Sequence, residues 1–528
     1  FVMNLLKSKW TIVFVLTIIL LLFLRIDYRF KNEVQCCSDD YSYFIHASTI
    51  ALDFDLDYSN QPPGGWYYSK NNKTTPIGFI GSGILSSPFL FLGNSISNLI
   101  NENPETSLLN YKLLLYSLSP IVYLFLSYLL IYKFLHLLKI NVNKYKLLLI
   151  FGGSGITYFA FERFSMTHAY EVFTISALIY LCVKYYLQEN KFSNLYCVLI
   201  PLVLVVSFLT RMSNFYIFII PYIVKRLMIE KGFATKNTLL KNKYLYLSSA
   251  ICFLAYYLLT AELYGELIFN PQKIYGTNLS TGSVISDENG LLNLIIGSIK
   301  TFFIVSFSYE FGIFWVAPII FGAIIVIFTK IENFKKIETY LILLCFAQNI
   351  FIIHLWQSAA SSYGFRYLLS LTPLCFLVFF LYGEKNKIFF NYLLIFSVLA
   401  NLSVLFFETT ELTQLSTEDE VNSFGTLIRY VEPNYIKGLF LSFLNLNSYL
   451  IIFTTSFFGA TVFKFLLLFT GVEKLNLYLG KFGLPIENAD FQIYIQNLLS
   501  IGVDKFIFII LFLALSSYFI VFRLGVDE

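Results

Sequence analysis

Long apolar segments alternate with short polar segments from one end of the chain to the other. Most of the apolar segments contain roughly 16 to 22 residues, enough for a helix to cross a hydrocarbon core about 30 Å thick. The pattern predicts an all-α polytopic membrane protein with about thirteen transmembrane helices. The predicted spans lie near residues 10–26, 111–131, 146–161, 168–187, 195–210, 213–224, 244–262, 310–329, 338–355, 366–382, 388–407, 449–469 and 504–522.

Three of these spans have features of their own. The span near 10–26 is longer than the apolar region of a usual signal peptide and lacks a small-residue cleavage site, so we expect it to be retained. The spans near 195–210 and 213–224 are short and are separated by Thr210-Arg211-Met212-Ser213-Asn214. Because unpaired backbone groups are not tolerated against lipid, we expect this polar break at a membrane surface.

Basic residues are concentrated in alternate loops, which predicts the orientation of the helices. With about thirteen spans, these loops all fall on the cytoplasmic side. They contain Lys7, Lys9, Lys133, Lys139, Lys144, Lys146, Lys225, Arg226, Lys231, Lys236, Lys241, Lys243, Lys330, Lys335, Lys336, Lys385 and Lys387. The acidic clusters lie in the other loops, at Asp39-Asp40, at Asp53, Asp55 and Asp57, and at Glu418-Asp419-Glu420. We therefore expect a multi-pass plasma (inner) membrane protein whose acidic loops face the periplasmic or extracellular side.

Two long segments, 27–110 and 263–309, are predicted as outer loops that carry surface helices. In the first, apolar and small residues at helical spacing predict an amphipathic helix on the membrane surface, with Tyr41, Phe44, Ile45, Ser48 and Leu52 on one face. Residues 77–100 are apolar but contain four glycines and a proline, which predicts a broken or re-entrant helix. We expect residues 1–407 to form one transmembrane module and 408–528 a C-terminal transmembrane region of unassigned role.

The amino-acid composition agrees with a membrane location and argues against some classes of function. The chain has 528 residues, of which 57% are hydrophobic and only 13% are charged. The net charge of +4 is small and no basic stripe is present, so no nucleic-acid partner is expected. The sequence has no Walker loop, dinucleotide fingerprint or clustered His/Cys spacing, which argues against a nucleotide-driven engine. Five cysteines lie in apolar segments and are predicted to be small buried residues: Cys182, Cys197, Cys252, Cys345 and Cys375.

Asp39 and Asp40 are the first candidates for chemistry. They follow the first span and precede the predicted surface helix, close to the outer headgroups. A carboxylate there can accept the proton of an incoming hydroxyl group. Adjacent side chains on a helix diverge by about 100°, so one could be the base while the other orients it or holds a divalent cation. The alternative is that both residues only cap the helix and complement its dipole.

Several cations lie where a lipid phosphate could be bound. Arg211 and Arg366 stand at outer ends of spans, and a guanidinium group matches the geometry of phosphate oxygens. The alternative is that they reach out to ordinary lipid headgroups. Lys70 and Lys73, in the first outer loop, could neutralise the same phosphate or could simply be solvated.

His168 is a further candidate ligand for the phosphate or the acceptor. It begins the fourth span, close to Glu162 and Arg163. The alternative is a structural hydrogen-bonding role, which is common for a histidine at a helix start. Glu310 begins the eighth span and could pair with an arginine.

Several different short motifs follow one another along the first part of the chain. They are Ser38-Asp39-Asp40 with Tyr43, Lys73-Thr74-Thr75-Pro76-Ile77-Gly78 followed by Ser87-Pro88-Phe89, Met166-Thr167-His168-Ala169-Tyr170, Leu209-Thr210-Arg211-Met212-Ser213-Asn214, Gly312-Ile313-Phe314-Trp315-Val316-Ala317-Pro318, and Tyr363-Gly364-Phe365-Arg366-Tyr367 with Pro373. In order and predicted side, this pattern resembles the GT-C superfamily of polyprenyl-phosphate-sugar glycosyltransferases, which includes protein O-mannosyltransferases and the aminoarabinose transferases of lipid A. The resemblance covers residues 1 to about 380, and Met212 and Phe365 stand where the family usually has proline.

The resemblance implies a GT-C-like transmembrane bundle that transfers a sugar from a polyprenyl-phosphate donor at the outer face of the membrane. Its acceptor would be a glycan, a lipid or a protein. By the same match, Asp39 is the first choice for the catalytic base and Asp40 the second, while the arginines and His168 lie around the donor phosphate. No cofactor is certain; a divalent cation on Asp39 or Asp40 is the one candidate. The competing functions are a flippase or transporter for lipid-linked sugars and a polyprenyl-diphosphate glycan ligase.

Overall fold

The computed structural model describes part of the chain, and within that part the fold is mainly helical. It describes residues 38–61, 67–70, 73–102, 111–143, 154–161, 163–187, 193–233, 242–270, 272–275, 366–383, 387–407, 417–421, 427–431 and 441–452, together with isolated positions outside these ranges. The predicted spans near 10–26 and 504–522, most of those near 310–329, 338–355 and 449–469, and Glu310 lie outside the described residues.

The helices and strands follow one another along the chain. The α-helices are α1 (Ser38–Ser48), α2 (Ile80–Leu99), α3 (Tyr111–Leu137), α4 (Ile156–Phe161), α5 (His168–Leu187), α6 (Ser193–Thr210), α7 (Ile220–Glu230), α8 (Lys243–Tyr264), α9 (Gln272–Tyr275), α10 (Thr372–Gly383), α11 (Lys387–Phe407) and α12 (Leu446–Ile452). A π-helical turn, Thr49–Asp53, extends α1, and 3-10 turns at Phe215–Ile219 and Arg366–Leu371 precede α7 and α10. Two hairpins are formed by β1 (Tyr67–Lys70) with β2 (Lys73–Pro76) and by β3 (Thr417–Val421) with β4 (Leu427–Val431).

Three of the described helices, α3, α5 and α8, are long and apolar enough to cross a membrane. They confirm, as helices of spanning length, the spans predicted near 111–131, 168–187 and 244–262. The polar break between the fifth and sixth predicted spans is also present, because α6 ends at Thr210 and the next helical turn begins at Phe215. In the span predicted near 146–161, the described residues Lys146, Leu147 and Phe151 are helical, and α4 follows a turn at Ser154 and Gly155.

Helix α5 is the most buried of the three long helices and occupies the centre of the described bundle. Helices α3, α6 and α7 pack against it, and α8 packs on the far side of α6. The core between them is aliphatic and aromatic; for example, Tyr128 of α3 meets Phe151 edge to face, and Phe151 stacks on Phe376 of α10. Much of α8 faces away from the protein with large apolar side chains exposed, including Leu247, Ile251, Leu254 and Leu258. Such a surface suits contact with lipid.

The predicted surface helix is present as α1, but its predicted position on the surface is wrong. Every side chain from Asp40 to Ala47 is buried in protein. The two sides of α1 are both covered because α2 approaches it closely at Gly83, where an added Cβ atom would lie 2.6 Å from the Cβ atom of His46. A helical pattern of apolar residues identified one buried face, and the glycine of the neighbouring helix creates the second.

The predicted break in residues 77–100 is also wrong, since α2 is one continuous helix. Pro88 cannot donate the backbone hydrogen bond that Ile84 would otherwise accept. The hydroxyl group of Ser87 donates to that carbonyl oxygen instead, at 2.9 Å. The glycines serve close packing rather than a break: an added Cβ atom at Gly81 would collide with the backbone of Leu209 and Thr210, at the end of α6.

The two hairpins were not predicted, so the fold is not purely helical. In the first, the strands pair antiparallel from Tyr67 opposite Pro76 to Lys70 opposite Lys73. This hairpin is attached to the end of α8: Lys73 Nζ lies 2.6 Å from Glu262 Oε1, and the hydroxyl group of Thr75 donates to the carbonyl oxygen of Leu263. Four-residue strands are too short to show a clear alternation in sequence.

The described helices have two ends with different contacts. At one end, called the site end below, the first turn of α5, the last turn of α6, the end of α8 and the helices α1 and α2 come together. At the other end, contacts join polar residues at the starts of helices: Asn242 Nδ2 donates to Asn194 Oδ1 at 3.2 Å, and Lys146 Nζ donates to Asn391 Oδ1 at 2.8 Å. These are segments that the distribution of lysine assigns to one side of the membrane.

The close approach of α2 to α6 gives a test of this packing. Replacing Gly81 by alanine places a methyl group against backbone that cannot rotate away, and overpacking of this kind costs about 1–3 kcal/mol. We expect the thermal unfolding temperature (Tm) of Gly81→Ala in detergent to fall by several degrees. Asn98→Ala, an exposed change in the same helix, is the control and should leave Tm unchanged. Equal Tm values for the two variants would contradict the helix crossing.

Candidate functional site

Residues 163–167, called the connector, link α4 to α5 at the site end and bind the acidic start of α1. The Nε and Nη2 atoms of Arg163 both donate to Oδ2 of Asp40, at 2.8 and 2.5 Å. Two residues later, the hydroxyl group of Ser165 donates to the carbonyl oxygen of Asp40 at 2.6 Å and accepts from the hydroxyl group of Tyr116 at 2.7 Å. The connector therefore fixes both the side chain and the backbone of Asp40.

The two adjacent aspartates have different surroundings. Both lie in the first turn of α1, where a carboxylate is favoured by the helix dipole. Asp40 is only 2% exposed, whereas Asp39 is partly exposed. Both positions agree with the alternative in which the aspartates complement the helix dipole. The buried carboxylate of Asp40 in addition forms an ion pair with Arg163, which is 123 positions away. Tyr43, one turn further along, is buried against Gly78.

The other side of the connector binds the polar turn 210–214 that follows α6. The hydroxyl group of Thr167 donates to the carbonyl oxygen of Thr210 at 2.8 Å. The next residue, His168, places Nδ1 3.3 Å from Nη1 of Arg211. One short connector thus contacts both the acidic motif and the arginine motif of the sequence.

The turn 210–214 is buried in protein, and its predicted location at a membrane surface stays a prediction. Arg211 is 5% exposed, and Asn214 is 1% exposed. Backbone groups of the turn are paired internally, as the amide of Arg211 with Ser207 and the amide of Asn214 with Arg211 show. The alternative in which Arg211 reaches out to lipid headgroups is excluded by the same burial.

Glu171 is the central acceptor for the charges of this turn. Its Oε1 atom lies 3.1 Å from Arg211 Nη1 and 3.0 Å from His168 Nδ1. Its Oε2 atom accepts from Nδ2 of Asn214 at 3.0 Å. Glu171 and His168 are both fully buried in the first turn of α5, and a charge in such a place requires a counter-charge. The carboxylate of Glu171 and the guanidinium group of Arg211 supply this compensation to each other.

The other predicted cations have different positions. Lys73 is paired with Glu262 and is partly exposed, so it does not join the connector. Arg366 begins the 3-10 turn that packs against α5, but its side chain is outside the described residues, as is that of Lys70. Glu162 also lies outside the described residues. Among the described residues, no group of three or more His, Cys, Asp or Glu side chains is arranged to hold a metal ion.

A buried histidine joins the outer segments to α1. His46 Nδ1 accepts from the hydroxyl group of Tyr58 at 2.6 Å, and its Nε2 donates to the carbonyl oxygen of Gly78 at 2.9 Å. Burial lowers the pKa of His46 to about 4, although the bond to Gly78 opposes this shift. The ring is therefore neutral and structural near neutral pH.

Sequence reasoning missed Glu171, Asn214 and His46 as individual site residues. The spacing of His168 and Glu171 is the signal that could have found the first of them, because residues three apart share a helix face. A carboxylate in an apolar span is also a functional candidate by default. Nothing local in the sequence signals the roles of Asn214 and His46, since their partners are distant in the chain.

The described residues define a predominantly helical protein with three helices able to cross a membrane and a charged, buried cluster where α1, the connector and the turn 210–214 meet. No family model, curated protein or solved structure matches the chain. The function is therefore inferred from the site itself.

The lowered pKa of His46 predicts a pH dependence of stability. The folded protein disfavours the charged ring, whereas the unfolded chain takes up the proton near pH 6.5. The free energy of unfolding is therefore highest above pH 6.5 and decreases as the pH falls from 6.5 towards about 4. The total effect is roughly 3 kcal/mol, since one pKa unit corresponds to about 1.4 kcal/mol. We expect His46→Gln to be less stable near neutral pH and to lose less Tm between about pH 7 and pH 4.5 than the unmodified protein does. Parallel Tm curves would contradict the assignment.

Proposed function

We propose that the chain is an integral membrane glycosyltransferase that moves a sugar from a polyprenyl-phosphate donor to an acceptor hydroxyl group at the outer face of the membrane. The observation that carries the proposal is the connector 163–167. It holds the Asp39-Asp40 motif at Asp40 through Arg163 and Ser165, and the arginine motif at Thr210 through Thr167. A carboxylate and cationic groups near one point are what an acceptor hydroxyl group and a departing phosphate require.

The surroundings of the two aspartates divide their roles. A catalytic base must be reached by the acceptor, and Asp39 is partly exposed whereas Asp40 is buried and occupied by Arg163. We assign Asp39 as the base and Asp40 as the positioning residue that fixes the first turn of α1. Arg163, whose side chain is 21% exposed, then has one edge on Asp40 and remains near the surface where a phosphate would arrive.

The reaction is a single displacement. The oxygen of the acceptor attacks the anomeric carbon of the sugar while the bond from that carbon to the phosphate oxygen breaks, and the electron pair leaves with the polyprenyl phosphate. The hydroxyl proton passes to Asp39. Attack opposite to the leaving group inverts the anomeric configuration. The phosphate is already a good leaving group, so its developing charge needs cations more than it needs an acid; Arg163 is the described candidate and Arg366 is a second.

Two features support an enzyme over a flippase or transporter for lipid-linked sugars. The buried charges lie in the first turn of α5 and just after α6, at helix ends, whereas substrate sites of transporters lie near the middle of broken helices. The second feature is that hydrogen bonds join the connector directly to α1 and to the end of α6, whereas a transporter must move such segments against one another. A ligase that uses a polyprenyl-diphosphate glycan would share the same cations, and turnover with a monophosphate donor distinguishes it.

The transfer reaction can be tested with polyprenyl-phosphate sugars and purified protein in lipid nanodiscs. We expect Asp39→Asn to lower kcat at least about 100-fold with only a small fall in Tm, because loss of a general base removes about two to four orders of magnitude while loss of the charge weakens only its interaction with the helix dipole. Asp40→Asn should lower both Tm and kcat, because it removes the buried negative charge that Arg163 binds at the start of α1. Asp55→Asn, an exposed change in the same outer segment, is the matched control. Full activity in Asp39→Asn would remove the base assignment, and absence of turnover with every monophosphate donor would refute the proposed reaction.

A further inference from the structure

The site contains a buried carboxylate that the proposed chemistry does not use. Glu171 lies in the first turn of α5 with no exposed surface, and its partners come from two segments. His168 is on the same helix, while Arg211 and Asn214 belong to the turn 210–214. Each carboxylate oxygen therefore contacts the turn, one through a guanidinium group and one through an amide.

These contacts leave Arg211 poorly suited to bind the donor phosphate. Its Nη1 atom is committed to Glu171, its Nε atom donates to Ser213 Oγ at 3.3 Å, and the residue is 5% exposed. A phosphate at Arg211 would have to displace a carboxylate that is buried and bound by two further donors. The charge of Arg211 is better explained as the partner of Glu171.

We propose that Glu171 is a positioning residue: its carboxylate holds Arg211 and Asn214, and with them the turn 210–214, against the connector that fixes Asp40. The catalytic consequence of this assignment rests on the proposed function, whereas the holding of the turn by Glu171 is independent of it. Its path runs from Glu171 to the turn, from the carbonyl oxygen of Thr210 to Thr167, and along the connector to Arg163 and Asp40.

The close packing of α2 explains why the position of this turn matters. Gly81 lies directly against the backbone of Leu209 and Thr210, so a displaced turn would collide with α2. Helix α2 in turn contacts α1 at Gly83, beside His46. A shift at Thr210 is therefore transmitted to α1 both through the connector and through α2.

The first test measures the turn directly and needs no enzymatic activity. In hydrogen exchange with mass spectrometry, we expect Glu171→Gln to accelerate exchange of the amides in residues 210–214 at least several-fold, because the charge that holds Arg211 is lost. Ser176→Ala is the matched control: Ser176 is buried in the same helix and donates to the carbonyl oxygen of Val172 within it, so exchange should stay as in the unmodified protein. Unchanged exchange in Glu171→Gln would overturn the inference.

The second test asks whether Arg211 is the partner through which Glu171 acts. Removing one member of a buried ion pair leaves the other uncompensated, whereas removing both does not. We expect Glu171→Gln and Arg211→Gln each to lower Tm, and the double variant to have a higher Tm than the sum of the two losses predicts. Additive losses would overturn the pairing.

The third test separates positioning from binding of the donor. In the transfer assay we expect Glu171→Gln to lower kcat about tenfold or more with the KM for the donor within about twofold, and Glu171→Asp, which keeps the charge, to recover part of kcat. A change confined to the donor KM would make Arg211 a substrate ligand and overturn the inference. If the unmodified protein transfers no sugar, the proposed function fails, and the exchange and Tm experiments still decide whether Glu171 holds the turn.

Discussion

A charge that leaves water for the interior of a helical bundle requires its counter-charge at the same place, and this constraint organises the described part of the protein. An unpaired buried ion costs several kcal/mol, more than most single contacts contribute. Two such pairs are the part-buried pair of Asp40 with Arg163 and the buried pair of Glu171 with Arg211, and the connector joins them. Their members come from α1, from the connector with the adjoining start of α5, and from the turn after α6, so satisfying the charges brings three distant segments of the chain to one end of the bundle.

Hydroxyl groups and glycines make that arrangement compatible with a tightly packed, apolar surrounding. Thr167 and Ser165 each donate to a backbone carbonyl oxygen of another segment, and Ser87 replaces the hydrogen bond that Pro88 cannot make. Glycines allow α2 to approach α1 and α6 at backbone distance. The carbonyl oxygens of Asp40, Ile84 and Thr210 are thereby paired inside the protein.

The sequence predicts well those features that depend on local composition. The spans that became α3, α5 and α8 were found because an apolar run of sufficient length is a local property. The helix α1 was found from its spacing, but its burial was not, because that depends on Gly83 in another helix.

For the candidate site, the sequence identified Asp39, Asp40, Arg163, His168 and Arg211 as polar residues at helix ends. It could not pair them, since the contact of Asp40 with Arg163 spans 123 positions and no local pattern encodes such a contact. Glu171 was not predicted as a site residue because a single carboxylate barely changes the mean hydropathy of an apolar helix. The two hairpins were not predicted for a similar reason, because strands of four or five residues are too short to show a clear alternation of polar and apolar residues.

The central claim is that a lipid-linked sugar is held at the site end with its anomeric carbon in front of Asp39. The most direct measurement is a cryo-electron-microscopy structure of the protein in a nanodisc with a non-transferable polyprenyl-phosphate-sugar analogue. We expect the phosphate beside the guanidinium group of Arg163 and the sugar next to the first turn of α1, with Glu171 still bound to Arg211. A donor bound at the opposite end of α5, or a phosphate that has taken the place of Glu171 on Arg211, would contradict it.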